Sequence, residues 1–258
     1  MSALAVQVGA VARRSVTRTL RQPASVIPPL LFPVALMSVN AAGLRASTAL
    51  PGFPTDSFLA FALAVPFIQG ALFATLNAGS DLARDVQTGF LSRLALTPMR
   101  GVALLAGQLA GIVVLGVLQA AFYVAVGLVT GVRFESGPGG ILALLAFAAL
   151  VSLGFGAIGS FIALLVGSGE AVQAFFPVFF VFLFISSMNT PRSLIAVDWF
   201  RACATANPVS YLLECVRSLI ITGWDGQALA LGFGIAAGLA VVAIALAGRA
   251  LDRRLTRT

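Results

Sequence analysis

From Val102 to Val132 the chain carries no charged side chain, and from Gly140 to Gly169 it again carries none. Such runs are longer than the roughly 20 apolar residues that cross a hydrocarbon core about 30 Å thick. Four further stretches, Ala24–Leu44, Ser57–Ser80, Ala171–Thr190 and Gln227–Gly248, repeat the pattern. In lipid every backbone N–H and C=O must be bonded within the protein, so spans of this composition are helices. Of the 258 residues 59% are hydrophobic and only 10% charged, with a mean hydropathy of +1.02, whereas soluble domains carry about 25% charged residues. The reading is one all-α integral membrane domain, residues 1–258, with six transmembrane helices.

The composition also removes chemistry. There is no His, which excludes His-based general acid–base catalysis, Ser–His triads and His-ligated metal. Every basic residue is Arg and none is Lys, so no phosphate-binding loop ending in Gly-Lys-Ser/Thr exists, and any ATP must be hydrolysed by another protein. The net charge of +7 on so apolar a chain marks cytoplasmic helix ends rather than a nucleic-acid surface.

Met1–Gln22 is too polar to span and lacks a signal-peptide pattern. At helical spacing Arg14, Arg18 and Arg21 fall on one side and Leu4, Val8, Val11, Ala12 and Val16 on another, which predicts an amphipathic helix lying in the interface. Pro28, Pro29 and Pro33 crowd the first span, so regular helix is expected only from near Leu30. With the N-terminus inside, the inner segments hold eleven Arg against Asp81, Asp85, Glu170 and Asp252, while the outer ones balance. By the positive-inside rule both termini are cytoplasmic, which agrees with an even number of spans.

Two connections are longer than turns. Residues 81–100 read DLARDVQTGFLSRLALTPMR, polar and helical in period, and stop at Pro98. Residues 191–226 are external and half polar; Tyr211–Ile221 is too short and too charged to cross, so it is read as re-entrant or surface-lying helix. Glu214 and Arg217, three apart on that helix, are expected to neutralise each other. Cys203 and Cys215 lie in the same segment, where a disulfide is open. Gly154, Gly156 and Gly159 in the fourth span are read as sites of close helix packing.

Asp81, Arg84 and Asp85, then Gly89-x-Leu91, Arg93, Leu94 and a terminal Pro98 resemble the coupling helix of the permeases of ABC-2 type ABC transporters. Arg21-Gln22-Pro23 before a proline-containing first span, and Asn207-Pro208 followed by Glu214 and Arg217, are similar to the same family. Asp85 stands where the family most often has Glu, and Gly89-Phe90-Leu91 where Gly-Thr-Leu is common. The resemblance implies a dimer with a second permease subunit, identical or homologous. It implies two copies of a separate ABC ATP-binding subunit holding ATP and Mg, with no cofactor on this chain, in the bacterial cytoplasmic membrane among its lipids. The charged helix would dock on that ATPase, Leu91 and Leu94 packing the contact, with Glu170 in the turn 167–170 as a second contact.

The same resemblance places the transport path along the second and fifth spans. Gln69, Phe73, Leu76 and Asn77 fall within about one face of the second. In the fifth, Phe175, Phe179 and Phe182 form one row and Phe176, Phe180 and Phe184 another. Rings with a few amides suit a hydrophobic or amphipathic substrate, a drug, antibiotic or lipid. The nearest group in kind is the bacterial drug and antibiotic efflux permeases, including those for daunorubicin-like compounds; polysaccharide or glycolipid export is the alternative within the fold. An ion-coupled carrier would need an ionisable group at mid-membrane depth, and every Asp and Glu falls at a helix end or in a loop. Asp81-x-x-x-Asp85 is similar to the start of the metal-binding signature of CDP-alcohol phosphatidyltransferases, but Arg93, Thr97 and Gly101 stand where that motif needs Gly, Asp and Asp.

Overall fold

The computed structural model describes residues 3–89 and 101–255. Its described residues form eleven α-helices: α1 Ala3–Leu20, α2 Pro23–Gly43, α3 Phe58–Ala62, α4 Ala64–Gln87, α5 Gly101–Val129, α6 Gly137–Val166, α7 Gly169–Ala174, α8 Phe176–Phe184, α9 Asp198–Ala206, α10 Pro208–Arg217 and α11 Gly226–Leu255. Among the described residues five stretches are long and apolar enough to cross a membrane: Val26–Gly43, Phe58–Gln87, Val102–Val129, Gly137–Val166 and Gly226–Arg254.

The stretch Phe58–Gln87 is the centre of the molecule. It is the most buried of the five, and α4 packs against α2, α5, α6, α7 and α10. The helix itself continues past the predicted span end at Ser80 to Gln87. Helix persists past Asp81 and Asp85 because both acids meet arginines of α1 there. The turn beyond it closes at Gly89, whose φ of +66° is left-handed and favours glycine.

Regular helix in the first span starts at Pro23, not near Leu30, and continues through Pro28, Pro29 and Pro33. Pro33 lacks the N–H that would bond the carbonyl of Pro29. The buried Tyr123 hydroxyl of α5 donates to that carbonyl instead, at 2.5 Å. A freed backbone acceptor is thereby satisfied by a neighbouring helix, as the absence of water in lipid requires.

The fifth predicted span, Ala171–Thr190, is not one continuous helix. Pro177 interrupts the ladder, α7 ends at Ala174, and α8 stops at Phe184. The pair Gly169–Phe184 is about 24 Å long at 1.5 Å per residue, below a full crossing. Its two ends nonetheless reach opposite ends of the bundle. Gly169 lies beside Ser80, and Asn189, beyond α8, accepts from the Asn40 amide at 3.5 Å.

The amphipathic α1 packs along the first half of α5. Ideal Cβ atoms at Gly107 and Gly111 would stand 2.6 Å from Val11 and 2.7 Å from Ser15, so only glycine admits α1 so close. Of the glycines singled out in the fourth span, Gly159 abuts the backbone of Thr75 and Gly156 abuts Ile112.

Candidate functional site

Three groups of residues stand out, one at each end of the bundle and one between. At the end where α4 and α6 finish, the α1 arginines meet the last turns of α4. Arg14 reaches Asp85 at 3.0 Å, and Arg18 reaches Asp81 at 3.4 Å and Asp85 at 3.5 Å. Sequence spacing put Arg14 and Arg18 on one face but gave no sign that their partners were the acids of residues 81–85. Arg84 is exposed. Leu91, Arg93, Leu94 and Pro98 lie outside the described residues.

The turn between α6 and α7 sits beside this group. Gly167, with φ of +77°, ends α6, and Arg254 of α11 donates to the Leu164 carbonyl at 2.6 Å, a cation on the negative end of a helix. The Ser168 hydroxyl accepts from Ala171 N–H at 3.2 Å and starts α7. Glu170 is exposed in that first turn. Because Gly169 lies against Ser80, residues 81–89 and the turn 167–170 share one end of the molecule.

Between the ends, α4, α8 and α2 bring rings together. Phe73 is 5.5 Å from Phe176 between centroids, Phe176 is 4.5 Å from Phe180, and Phe180 is 5.9 Å from Phe184. Phe32 of α2 completes the group, 6.2 Å from Phe73 and 6.3 Å from Phe180. Sequence reasoning missed Phe32, whose only signal was an aromatic residue beside Pro33 in the first span.

Other path candidates do not join this cluster. Gln69 is fully buried, and neither amide atom has a hydrogen-bond partner among the described residues. Leu76 packs into the apolar core near the charged end, and Phe179 touches both cores. Asn77 lines a separate cavity shared with α1, α2 and α5, while Phe175 is exposed.

At the opposite end Glu214 does not pair with Arg217. Its carboxylate accepts two bonds of 2.6 Å from Arg192, whose guanidinium also lies 4.2 Å over the Tyr211 ring. Burial works against the Arg192 charge, but the bonds and charge of Glu214 outweigh it and hold its pKa above the ordinary guanidinium value. Arg217 is buried instead. It donates to the carbonyls of Phe61, Ser187 and Met188 at 3.2, 2.6 and 2.6 Å and sits 3.5 Å over the Phe61 ring. The i,i+3 pairing fails because α10 turns Arg217 inward, where unpaired carbonyls need donors.

Asn207 joins the same end together. Its amide N–H donates to the carbonyls of Phe182 and Ile185 at 2.5 and 2.8 Å, while its oxygen accepts from Val209 N–H at 2.9 Å. One side chain thus finishes α8 and caps α10, with Pro208 at the first helical position. Both cysteines are free thiols, Cys203 exposed and Cys215 buried. Trp199 and Trp224 are exposed at this end, as aromatic residues at a membrane–water boundary are.

An all-helical bundle with five membrane-length helices, a charged pole at one end and aromatic residues at the other defines an integral membrane protein. The family model for the ABC-2 type transporter matches residues 6–221, and the chain belongs to that family of membrane permeases. It is similar to the daunorubicin resistance ABC transporter permease protein DrrB1 of Streptomyces coeruleorubidus. The two are 29% identical over 207 residues, 74% of this chain and 69% of that protein.

Proposed function

We propose that the chain is the membrane subunit of an ATP-driven exporter, one half of a dimeric path for a hydrophobic or amphipathic substrate. Two copies of a separate ABC ATP-binding subunit, carrying ATP and Mg, supply the work. The chain would then have six crossings in a bacterial cytoplasmic membrane, with both termini inside; the reach of Gly169–Asn189 from one end of the bundle to the other supports the sixth.

The observation that carries this reading is the charged pole, where residues 81–89, the turn 167–170 and α1 stand together. Mechanical work arriving at that end from a docked ATPase would reach α4 directly, and α4 touches most of the bundle. The turn at 167–170 would be the second contact, with Glu170 exposed for it. The ring cluster Phe32, Phe73, Phe176 and Phe180 offers apolar area of the kind that holds drug-like molecules. The relative's name, which refers to daunorubicin resistance, points the same way.

The test is a pull-down of the tagged chain from native membrane in mild detergent, with identification of stoichiometric partners. A co-purifying ATPase whose activity rises with daunorubicin is expected. Recovery of the intact chain without any ATPase across several detergents would overturn the reading.

A further inference from the structure

A cavity of about 150 Å³ lies between the α1–α2 elbow and the flanks of α4 and α5. Leu20, Val26 and Leu30 form one wall, and Ile112, Leu115 and Phe122 the other. An apolar cavity of roughly this size takes a benzene-sized body, whereas drug-sized ligands fill pockets of about 300–1,000 Å³. Thr19, Asn77 and Gln119 are the polar members of an otherwise apolar lining, and its volume suits a length of one hydrocarbon chain.

The cavity opens sideways. Leu20 of α1 and Leu118 of α5, both in its lining, are 51% and 50% exposed, so in a membrane its mouth would face lipid. It reaches from the end of α1, where Thr19 and Leu20 line it and Arg21 follows directly, toward the middle of α4 and α5. Arg14 and Arg18 are held by Asp85 and Asp81. Arg21 is exposed, and its guanidinium has no partner among the described residues. An apolar slot opening to lipid beside a free cation matches a phospholipid with a negative headgroup.

We propose that the cavity seats one acyl chain of an anionic phospholipid whose phosphate rests on Arg21. The chain fills the gap that α2 and α5 leave beside the elbow, and the headgroup completes the charge pattern of α1. The bound lipid braces the elbow against α5, so it supports the helix that carries Arg14 and Arg18 to α4. Assignment to the cytoplasmic leaflet rests on the orientation proposed above. Binding itself is measured in micelles, where leaflets do not exist, so the site and the orientation fail separately.

The experiment is native mass spectrometry of the chain with its co-purifying partners, titrated with phosphatidylglycerol or phosphatidylcholine of matched acyl chains. One phosphatidylglycerol should be retained in preference to phosphatidylcholine by about fivefold, the contribution of one Arg near a headgroup. Arg21→Gln, a change at an exposed position, should remove that preference. Leu115→Trp, which fills the cavity, should reduce retention of both lipids, while Leu142→Trp on an exposed face of α6 should leave it unchanged. Undiminished preference in Arg21→Gln, or wild-type retention in Leu115→Trp, overturns the proposal. So does one-for-one displacement of the lipid by daunorubicin, which would make the cavity a substrate site.

Discussion

Gly159 of α6 lies so close to Thr75 of α4 that a Cβ at 159 would collide with the Thr75 carbonyl. The Thr75 hydroxyl meanwhile donates to the Phe155 carbonyl at 2.9 Å, so the two helices are joined backbone to side chain at the point of closest approach. Gly159→Ala should cost about 1–3 kcal/mol, as overpacking of a filled core does. Thermal unfolding in detergent checks this against Gly234→Ala, where a Cβ meets nothing within 4 Å. Equal melting temperatures would show that α4 and α6 separate readily.

Arg217 and Arg192 should respond very differently to removal. Arg217→Met leaves three carbonyls without their charged donor and should cost about 2–4 kcal/mol. Arg192→Ala breaks a partly exposed ion pair with Glu214, expected to cost at most about 1 kcal/mol. A double-mutant cycle decides the pairing: coupling of Glu214 with Arg192 should exceed its coupling with Arg217, and the reverse order would restore the i,i+3 pair.

The α1–α4 ion pairs should answer to charge exchange. Asp85→Arg places a third cation against Arg14 and Arg18 and should loosen α1, seen as faster tryptic cleavage at Arg13–Arg21. Adding Arg14→Asp should recover much of the protection. Raised salt should act on the wild type in the same direction as Asp85→Arg but more weakly, since the Asp85 side chain is only 14% exposed and partly buried pairs are less screened.

Thiol labelling distinguishes the two cysteines. Cys203 on α9 is exposed and should react with a membrane-impermeant maleimide applied to intact cells if its end of the bundle is external. Cys215, buried against Gly232 of α11, should react only after denaturation. Labelling of Cys203 solely in inverted vesicles would reverse the proposed orientation, and a mobility change on reduction would reveal a disulfide.

The first and fifth spans show where pattern reading stops. Prolines occur in both, at 28, 29 and 33 and at 177, yet α2 continues and the fifth segment splits. A proline removes one N–H, and whether the helix survives depends on a donor from elsewhere. Tyr123 supplies that donor for Pro29, 94 residues away in sequence. No local signal could show this. Asp81, Asp85, Gly89, Phe73, Phe176, Phe180, Glu214 and Arg217 were singled out from the sequence. Their partners Arg14, Arg18, Phe32, Arg192 and Phe61 emerged only when the helices were packed.

The membrane class, the helical architecture, the placing of most spans and the exclusion of His- and Lys-dependent chemistry follow from the sequence alone. Each depends on local run length or composition, which hydrocarbon thickness and the need to satisfy backbone bonds convert directly into helix. Tertiary structure decided which acid meets which arginine, why Arg217 turns inward, and where glycines 107, 111 and 159 let backbones touch. Helical periodicity assigns a residue to a face, but the helix facing it comes from distant sequence and is selected by packing that no single segment encodes.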